Sequence, residues 1–389
     1  MKSRQKLKIL EISPFSAGIC GVWTRVKAEA ELLSRKHDVF VFSSNIIRGT
    51  GEKETACENE IINKLKIKRF KTYSSFGENT FFWNCRKSAL ELKPDIIITH
   101  AYRQYYSTLA LKIAKKLKIP CVLVTHAPFL DKKLRNWKLN LAVSLYDNLI
   151  GKKILNEYDK VFTITKWEIP YLLALGIKKE KIVYSPNGIP EEFFKLKLKK
   201  PKNKIKKILF LGRISPIKDL SILIKAIALL KSKNLIVNLV GPAEAEYKNK
   251  LENEIKKVQL EKTIKFLPAV YDLKKKINLI DNYDIFILPS KREGMPQALI
   301  EAMARKKLVI SSITDGGKEI IQEKRNGFLF EIGNQEQLAE KLALALNEKN
   351  AKTITKMQKN ALNSVKQFFW LSLIKKTEKI INKLTKNKI

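Results

Sequence analysis

Short β-branched runs alternate with amphipathic segments along most of the chain. In the first half, amphipathic stretches such as Val22–Arg35 and Thr108–Leu117 separate these runs. The runs are apolar on both faces, which is typical of strands buried between layers of helices. This pattern predicts a parallel, doubly wound α/β domain. The strand candidates are Lys8–Ser13, Asp38–Ser43, Ile67–Phe70, Asp95–Thr99, Cys121–Thr125, Lys160–Thr165 and Lys181–Tyr184.

A second alternation of the same kind begins near residue 207. Its strand candidates are Lys207–Leu211, Leu235–Val240, Ile264–Leu267, Asp284–Leu288, Leu308–Ser311 and Gly327–Phe330. Its helix candidates are Lys218–Lys231, Ala243–Gln259, Leu273–Ile280, Pro296–Lys306 and the whole tail from Asn334. The chain is therefore predicted to hold two Rossmann-like domains, whose ligands would lie beyond the carboxyl ends of the strands.

The two alternations meet at a lysine-rich segment, Lys195–Lys207, which holds eight lysines in thirteen residues. A solvated interdomain linker is the simpler interpretation, and a specific anion-binding patch is the alternative. We predict an N-terminal domain over residues 1–190, a linker over 191–206, a C-terminal domain over 207–365 and a final helical segment over 366–389.

The net charge of this 389-residue chain is +38. The excess is spread over both halves, and most of the basic residues are lysines. Two explanations stay open: a compositional bias of the source genome, or selection for a negatively charged partner such as a nucleic acid, an anionic membrane or an acidic substrate. No zinc-finger, RNP-like or helix-turn-helix signature supports the nucleic-acid alternative.

The four cysteines, at positions 20, 57, 85 and 121, form no metal-binding or redox pair in the sequence. A reduced, cytoplasmic chain is the simplest expectation. The basic N-terminus has too short an apolar stretch for a signal peptide, and no apolar run reaches membrane-spanning length.

Candidate ligand-binding residues follow the strands of the first domain. The loop Ser13–Gly21 has two glycines before a helix, which would let backbone N–H groups approach an anion. It lacks the G-x-G-x-x-G fingerprint of dinucleotide-binding folds. His100 and His126 each directly follow a predicted strand, so each is either a site residue or a half-buried structural imidazole. His37 precedes a strand and is expected to be structural.

Two segments of the second domain stand out more sharply. Gly212-Arg213-Ile-Ser-Pro-Ile-Lys218 places two cations at a strand-to-helix turn, an arrangement that suits a diphosphate. The other, Ser290 to Ala304 (SKREGMPQALIEAMA), follows a buried strand. Its glycine allows close backbone approach, and Pro296 suits a first helical turn. Glu293 and Glu301 flank the helix start, where carboxylates would accept hydrogen bonds from sugar hydroxyls.

These segments resemble the retaining GT-B glycosyltransferases of the large E-x7-E family, the glycosyl transferases group 1. Thr314-Asp-Gly-Gly317-Lys-Glu319 and Asn326-Gly327 resemble the same C-terminal domain, and Ser185 to Pro190 (SPNGIP) resembles the interdomain segment, whose usual NGID is here NGIP. The usual double glycine of the first loop is Cys20-Gly21. The resemblance implies two Rossmann-like domains facing each other across a cleft, and a final segment that returns to the first domain.

The resemblance also implies a role for each candidate residue. Arg213 and Lys218 would hold the donor's diphosphate and stabilise the leaving group, and Glu301 would bind the ribose hydroxyls. Glu293, with the backbone of Gly294, Met295, Pro296 and Gln297, would hold the transferred sugar. His126 would lie near the donor sugar, Gly21 would approach the diphosphate, and His100 is an acceptor-side candidate.

The implied reaction moves a hexose or N-acetylhexosamine, with retention, from a UDP- or GDP-sugar to a glycan or lipid-linked acceptor. Such enzymes serve polysaccharide or glycolipid biosynthesis. Because the sequence has no D-x-D motif, we expect no metal and no cofactor, with Arg213 and Lys218 in place of a divalent ion. One alternative keeps the fold but performs sugar-nucleotide 2-epimerisation, which needs no acceptor. The other is a basic nucleic-acid-binding protein, although no nucleic acid is expected as a partner.

A membrane surface is a further candidate partner. Lys132–Tyr146 mixes basic residues with Trp137 and leucines, a composition that suits an anionic bilayer at the inner face of the membrane. The alternative is an ordinary helix packed on the first domain. The sequence indicates neither the oligomeric state nor the identity of the sugar.

Overall fold

The computed structural model describes residues 6–18, 20–48, 54–76, 80–129, 136–196, 206–230 and 234–386. Most of the predicted lysine-rich linker, residues 197–205, and the first part of the Lys132–Tyr146 window lie outside the described residues. The chain forms two compact units. The first comprises Met1–Gly188 together with Trp370–Ile389, and the second is Ile189–Phe369.

The first unit is built on an eight-stranded sheet in the order β10-β9-β8-β7-β1-β2-β4-β3. Its neighbouring strands are parallel except for the edge pair β3 and β4. A separate antiparallel hairpin pairs β5 with β6. The strands are β1 (Lys8–Ser13), β2 (Asp38–Ser44), β3 (Asn59–Ile62), β4 (Leu65–Phe70), β5 (Ser74–Phe76), β6 (Thr80–Phe82), β7 (Ile96–His100), β8 (Cys121–Val124), β9 (Lys160–Thr163) and β10 (Ile182–Tyr184).

Helices connect these strands and close the chain. They are α1 (Gly21–Leu33), α2 (Arg86–Leu92), α3 (Tyr105–Leu117), α4 (Trp137–Tyr146), α5 (Lys152–Glu157), α6 (Glu168–Ala174) and, at the C-terminus, α15 (Trp370–Lys386). A π-helical turn, Asp147–Gly151, joins α4 to α5. The last helix belongs to the first unit, where Glu378 of α15 pairs with Lys36 at 2.8 Å.

The second unit has a fully parallel six-stranded sheet in the order β13-β12-β11-β14-β15-β16. Its strands are β11 (Lys206–Leu211), β12 (Leu235–Val240), β13 (Ile264–Leu267), β14 (Ile285–Leu288), β15 (Leu308–Ser312) and β16 (Phe328–Phe330). Its helices are α7 (Glu192–Lys195), α8 (Leu220–Leu230), α9 (Ala245–Lys257), α10 (Leu273–Asp281), α11 (Gln297–Ala304), α12 (Asp315–Ile320), α13 (Gln335–Leu346) and α14 (Ala351–Val365).

Every predicted strand is present within about two residues of its predicted bounds. The pattern did not predict the edge strand β3, the hairpin β5–β6 or the short helix α2. In β3 the side chains alternate between exposed and half-buried, and its sequence NEII is half polar. An edge strand with one solvated face lacks the continuous apolar signal that marks the buried parallel strands.

Strand order decides where ligands bind in such sheets. In the first unit, successive strands pass to opposite sides of the pair β1 and β7, and in the second unit they do so at β11 and β14. The loops that leave these strands diverge, so a crevice opens at their carboxyl ends. The predicted motifs lie there: Ser13–Gly21 follows β1, Gly212–Lys218 follows β11, and Ser290–Gln297 follows β14.

The glycine of the SPNGIP segment, Gly188, packs directly against a tryptophan side chain. A Cβ built on Gly188 would lie 2.2 Å from Cδ2 of Trp370, the first residue of α15. The indole is 6% exposed, and the Arg25 guanidinium lies 5.7 Å from its ring centroid. Only a residue without a side chain lets the last helix start in this position.

We therefore predict that Gly188→Ala destabilises the first unit. Overpacking of a filled site costs about 1–3 kcal/mol of unfolding free energy, which urea titration followed by tryptophan fluorescence measures directly. Gly21→Ala is the matched control, because a Cβ built on Gly21 meets no atom within 4 Å. Equal midpoints for the two variants would show that Trp370 moves aside freely.

Candidate functional site

The loops after β7 and β8 carry the two histidines predicted from the sequence. His100 ends β7, and its Nδ1 lies 3.0 Å from Nε2 of His126, two residues after β8. Ala101, Arg103, His126 and Ala127 all have positive φ between 53° and 74°. Left-handed backbone at non-glycine residues is unfavourable, and its concentration in two adjacent loops is characteristic of a functional site.

A buried carboxylate, that of Glu168, holds the loop after β8 in place. Glu168 accepts hydrogen bonds from the backbone N–H of Ala127 at 2.9 Å and of Ile164 and Thr165 at 3.0 Å each. The hydroxyls of Thr125 and Thr165 donate to it as well. Burial raises the pKa of Glu168, and these hydrogen bonds oppose that rise. The Glu168 carboxylate therefore holds the strained backbone at Ala127 in place by accepting its N–H hydrogen bond.

The sequence interpretation missed a second buried acid, Glu11. It stands inside the apolar strand β1, is fully buried, and its Oε2 lies 3.1 Å from Nε2 of His100. The available signal was a carboxylate in the middle of the run KILEIS. His100 is also fully buried, so its side chain has no surface to offer an acceptor. The prediction of His100 as an acceptor-side residue stays a prediction, and in this structure its ring contacts Glu11 and His126.

Arg25 and Glu29 of α1 complete this buried cluster. The guanidinium Nε lies 3.3 Å from Oε2 of Glu29, and both side chains are almost fully buried. Arg25 also donates to the carbonyl and hydroxyl oxygens of Ser185 at 2.8 and 2.9 Å and to Oδ1 of Asn187 at 3.3 Å. The SPNGIP motif is therefore bound to α1 through its serine and asparagine.

Gly21 is the first residue of α1 and follows Cys20, whose side chain provides no capping hydrogen bond. The first N–H groups of a 13-residue helix are exposed donors that favour negative charge. The open space over the Cα of Gly21 leaves room for a ligand to approach this helix start. This geometry is compatible with the predicted approach to a diphosphate, which remains a prediction.

In the second unit, Lys218 and Glu293 come together, although 75 residues separate them. Lys218 Nζ lies 2.5 Å from Oε1 of Glu293, and the Ser290 hydroxyl donates to the same oxygen at 2.6 Å. Both the lysine and the glutamate are mostly buried. A fixed cation and a fixed carboxylate thus meet at the ends of β11 and β14.

The TDGG motif has a packing role beside this pair. Gly316 N–H donates to the Glu293 carbonyl at 3.1 Å, and a Cβ on Gly316 would lie 2.2 Å from the Gly294 carbonyl oxygen. Thr314 begins α12 as its N-cap by accepting from Gly317 N–H at 3.0 Å. Backbone therefore packs directly on the loop that carries Glu293.

Glu301 lies on α11 and is 3% exposed. Lys276 of α10 forms an ion pair with its Oε2 at 2.5 Å, and the Gln297 amide donates to its Oε1 at 3.2 Å. The sequence interpretation did not single out Lys276, because it lies in a lysine-rich helix where nothing distinguishes it from its neighbours. The two acids of the E-x7-E motif therefore each have a lysine partner, Lys218 for Glu293 and Lys276 for Glu301.

The two predicted diphosphate-binding cations, Arg213 and Lys218, have different acidic partners in the structure. Arg213 Nη1 pairs with Oε1 of Glu244 at 3.1 Å, and the arginine is more exposed than Lys218.

At the start of α11, Pro296 is the N-cap and the helix begins at Gln297, one residue later than predicted. Proline has no N–H group, so Gly294, Met295 and Gln297 supply the backbone donors of this loop.

Two parallel α/β units, each with polar side chains at its strand switch point, are the organisation of glycosyltransferases with the GT-B fold. Solved structures confirm this fold. A glycosyltransferase from Rickettsia africae has 21% identity and a TM-score of 0.76, with 99% of this chain and 100% of that chain covered. Anabaena HepE, solved in complex with UDP, has 17% identity and the same TM-score, with 97% and 100% covered.

Family models match both halves of the chain. Residues 190–364 match the glycosyl transferases group 1, and residues 19–193 match glycosyltransferase family 4. Together with the solved structures, these two matches show that the chain is a GT-B glycosyltransferase, an enzyme of the transferase class, as the sequence motifs indicated. A curated relative from Campylobacter jejuni is 27% identical over 344 residues, which are 87% of each chain. Its name describes an α-1,4-N-acetyl-D-galactosaminyltransferase acting on an undecaprenyl-diphosphate-linked GalNAc-GalNAc-diNAcBac glycan.

Proposed function

We propose that this protein transfers a hexose or N-acetylhexosamine from a nucleoside-diphosphate sugar to a lipid-linked glycan, with retention of configuration. The observation that carries the proposal is the pair of fixed acid–lysine contacts at the switch point of the second unit. UDP, the nucleotide with which Anabaena HepE was solved, is the nucleotide we propose, and the similarity to the Campylobacter enzyme favours a polyprenyl-diphosphate-linked glycan as the acceptor. An inverted linkage in the product, detected by NMR coupling constants, would contradict the stereochemical part.

The acid–lysine contacts suit recognition of a nucleotide sugar. In the proposed complex Glu301 accepts hydrogen bonds from the ribose hydroxyls, and its contact with Lys276 orients the carboxylate. Glu293 accepts from hydroxyls of the transferred sugar, while Lys218 and Arg213 contact the diphosphate. Because negative charge grows on the diphosphate as the glycosidic bond breaks, cations already in position lower the barrier.

The first test is nucleotide binding, measured as a thermal shift with UDP, GDP and ADP. At one hundred times its dissociation constant a ligand stabilises the protein by about 2.7 kcal/mol. We expect UDP to shift the wild type and to lose most of its effect on Glu301→Ala. The matched control is Glu323→Gln, since Glu323 also pairs with a lysine, Lys341, in the second unit.

If no nucleotide shifts the wild type and a nucleic acid does, the nucleic-acid alternative gains and the donor proposal fails. If UDP binds and UDP-GalNAc is converted to a second nucleotide sugar without any acceptor, the epimerase alternative is favoured instead.

We further propose that catalysis needs no divalent metal. The sequence has no D-x-D motif, and Lys218 already neutralises Glu293, the carboxylate predicted at the donor sugar. UDP release from UDP-GalNAc, with an undecaprenyl-diphosphate-linked GalNAc oligosaccharide as acceptor, should therefore be unchanged by excess EDTA. Lys218→Met should lower the rate by about 10²–10³. Loss of activity with EDTA and its recovery with Mn²⁺ would overturn this proposal.

The α4 region is the surface we propose for membrane contact. No helix in the described part of the chain is long and apolar enough to cross a bilayer. On α4 and the following π-helical turn, however, Trp137, Leu141 and Leu145 are more than half exposed, and Leu149 is 74% exposed. None of the α4 residues is buried, which argues against the alternative of a packed helix. Trp137, Leu141 and Leu145 are spaced four residues apart and so share one face of α4, and an exposed apolar face indicates an interaction site.

Hydrogen bonds connect the π-helical turn beside this apolar surface to the loop after β7. Asp147, in the π-helical turn, accepts from Arg103 at 2.8 and 2.6 Å and from the Tyr102 hydroxyl at 2.9 Å. Arg103 also donates to the Pro128 carbonyl, two residues from His126. Lys138 Nζ lies 5.7 Å from the ring centroid of Trp137, and Lys152 and Lys153 follow the π-helical turn in the sequence. Basic residues next to an exposed apolar face favour an anionic bilayer.

Vesicle co-sedimentation tests this surface. We expect binding to vesicles of phosphatidylglycerol and phosphatidylcholine, and much weaker binding to phosphatidylcholine alone. The double variant Trp137→Ser/Leu149→Ser should lower the partition coefficient at least about tenfold, because two large apolar side chains no longer enter the interface. Ile61→Ser is the matched control, since Ile61 is 75% exposed on β3. Binding that ignores lipid charge or the double variant would contradict the proposal.

A further inference from the structure

Glu11, His100 and His126 form a continuous chain of hydrogen bonds from the interior of the first unit to its surface. Glu11 Oε2 lies 3.1 Å from His100 Nε2, and His100 Nδ1 lies 3.0 Å from His126 Nε2. Glu11 and His100 are fully buried, whereas His126 is partly exposed. His126 is therefore the member of this chain through which a proton would reach solvent or a substrate.

Two further ionisable groups face the chain, Arg25 and Glu29 from α1. Burial raises the pKa of Glu11 to about 8, and the nearby Arg25 opposes that rise. Burial raises the pKa of Glu29 too, while its contact with Arg25 lowers it. Near pH 7 Glu11 is therefore protonated, and Glu29 is the acid in direct contact with Arg25.

The two histidines are neutral under the same conditions. Burial lowers the pKa of His100 to about 3 and holds the pKa of His126 well below its usual value. A neutral imidazole carries one proton, on either Nδ1 or Nε2. The hydrogen-bonded neighbour decides which nitrogen carries it.

The heavy-atom geometry permits two proton arrangements. When Glu11 is protonated, it donates to His100 Nε2, His100 Nδ1–H donates to His126 Nε2, and the proton of His126 is on Nδ1. When Glu11 is ionised, His100 Nε2–H donates to it, His126 Nε2–H donates to His100 Nδ1, and His126 Nδ1 has a lone pair.

We propose that Glu11 and His100 are positioning residues that act as a proton relay and determine whether His126 presents a donor or an acceptor at Nδ1. The step between the two states is balanced. One proton leaves His126 Nδ1 for solvent or a substrate oxygen, the His100 Nδ1 proton moves to His126 Nε2, and the Glu11 proton moves to His100 Nε2. The role of this switch in sugar transfer rests on the proposed function.

The direction of the pH dependence follows from the raised pKa of Glu11. Below about pH 8 Glu11 is protonated and His126 Nδ1–H is a donor, suited to an oxygen of the sugar or acceptor. As the pH rises through this value, Glu11 ionises and the donor is lost. The ionisation of a buried carboxyl thus changes the proton position on an imidazole that lies two hydrogen bonds away.

NMR of ring-labelled histidine tests the relay without any substrate. The chain has only three histidines, and the ¹³Cδ2 chemical shift of each neutral ring reports its tautomer. We expect His100 and His126 to be Nδ1–H tautomers at pH 6.5 and to change together to Nε2–H as the pH rises through about 8. His37 is the internal control, because its Nδ1 accepts from Leu7 N–H at 3.3 Å and its proton must stay on Nε2.

Glu11→Gln is the decisive variant, because it keeps the size and hydrogen-bonding capacity of the side chain but cannot ionise. Its His100 and His126 signals should not change between pH 6.5 and 9. Tautomers that change independently in the wild type, that do not change at all, or that still change together in Glu11→Gln would overturn the relay.

A kinetic measurement then links the relay to transfer. The kcat of the wild type should fall as the pH rises through about 8, and Glu11→Gln should lack this fall. If the wild type has no transferase activity, the proposed function fails while the NMR result on the relay stands. If both enzymes are active with identical pH profiles, the relay has no role in transfer.

Discussion

The first unit is organised around one buried guanidinium, that of Arg25. Removing a charged group from water costs several kcal/mol unless partners surround it. Arg25 has such partners in Glu29, in Ser185 and Asn187 of the SPNGIP segment, and in the indole of Trp370. These contacts join α1, the end of the first α/β run and the last helix. The requirement to satisfy one charge therefore fixes three segments that are distant in the sequence.

The same charge sets the protonation of the histidine chain. A single positive charge in a dry interior stabilises one carboxylate well, and Glu29 is the carboxylate in contact with it. Glu11 is left with the weaker, longer-range attraction, so burial dominates and favours its protonated form. The fold thus places one acid in contact with the buried cation and another as a group that titrates near pH 8.

Sequence patterns predicted most of the fold and the second half of the site, because both depend on local signals. Buried parallel strands are continuous apolar runs, and the segment from Ser290 to Glu301 combines a glycine, a proline and two acids within twelve residues. Lys276 and Arg25 gave no such signal. Glu301 is 25 residues from Lys276, Arg25 reaches Ser185, Asn187 and Trp370 as well as the nearby Glu29, and lysine and arginine are common throughout this chain. Glu11 did give a sequence signal, a single acid in an apolar strand. Only its contact with His100 in the structure indicates a role for that acid.

The ionisable groups of the two units differ in whether a proton can move between them, and this difference suits two separate roles. In the second unit Glu293 and Glu301 are each paired with a lysine whose amine lies at 2.5 Å, so their charges are fixed. Fixed charges suit a ligand that is always ionised, such as a diphosphate, because no proton has to move on binding. In the first unit the chain Glu11–His100–His126 is uncharged near pH 7 and holds a mobile proton. A mobile proton suits the hydroxyl chemistry of a sugar or an acceptor, where a hydrogen must leave one oxygen and reach another.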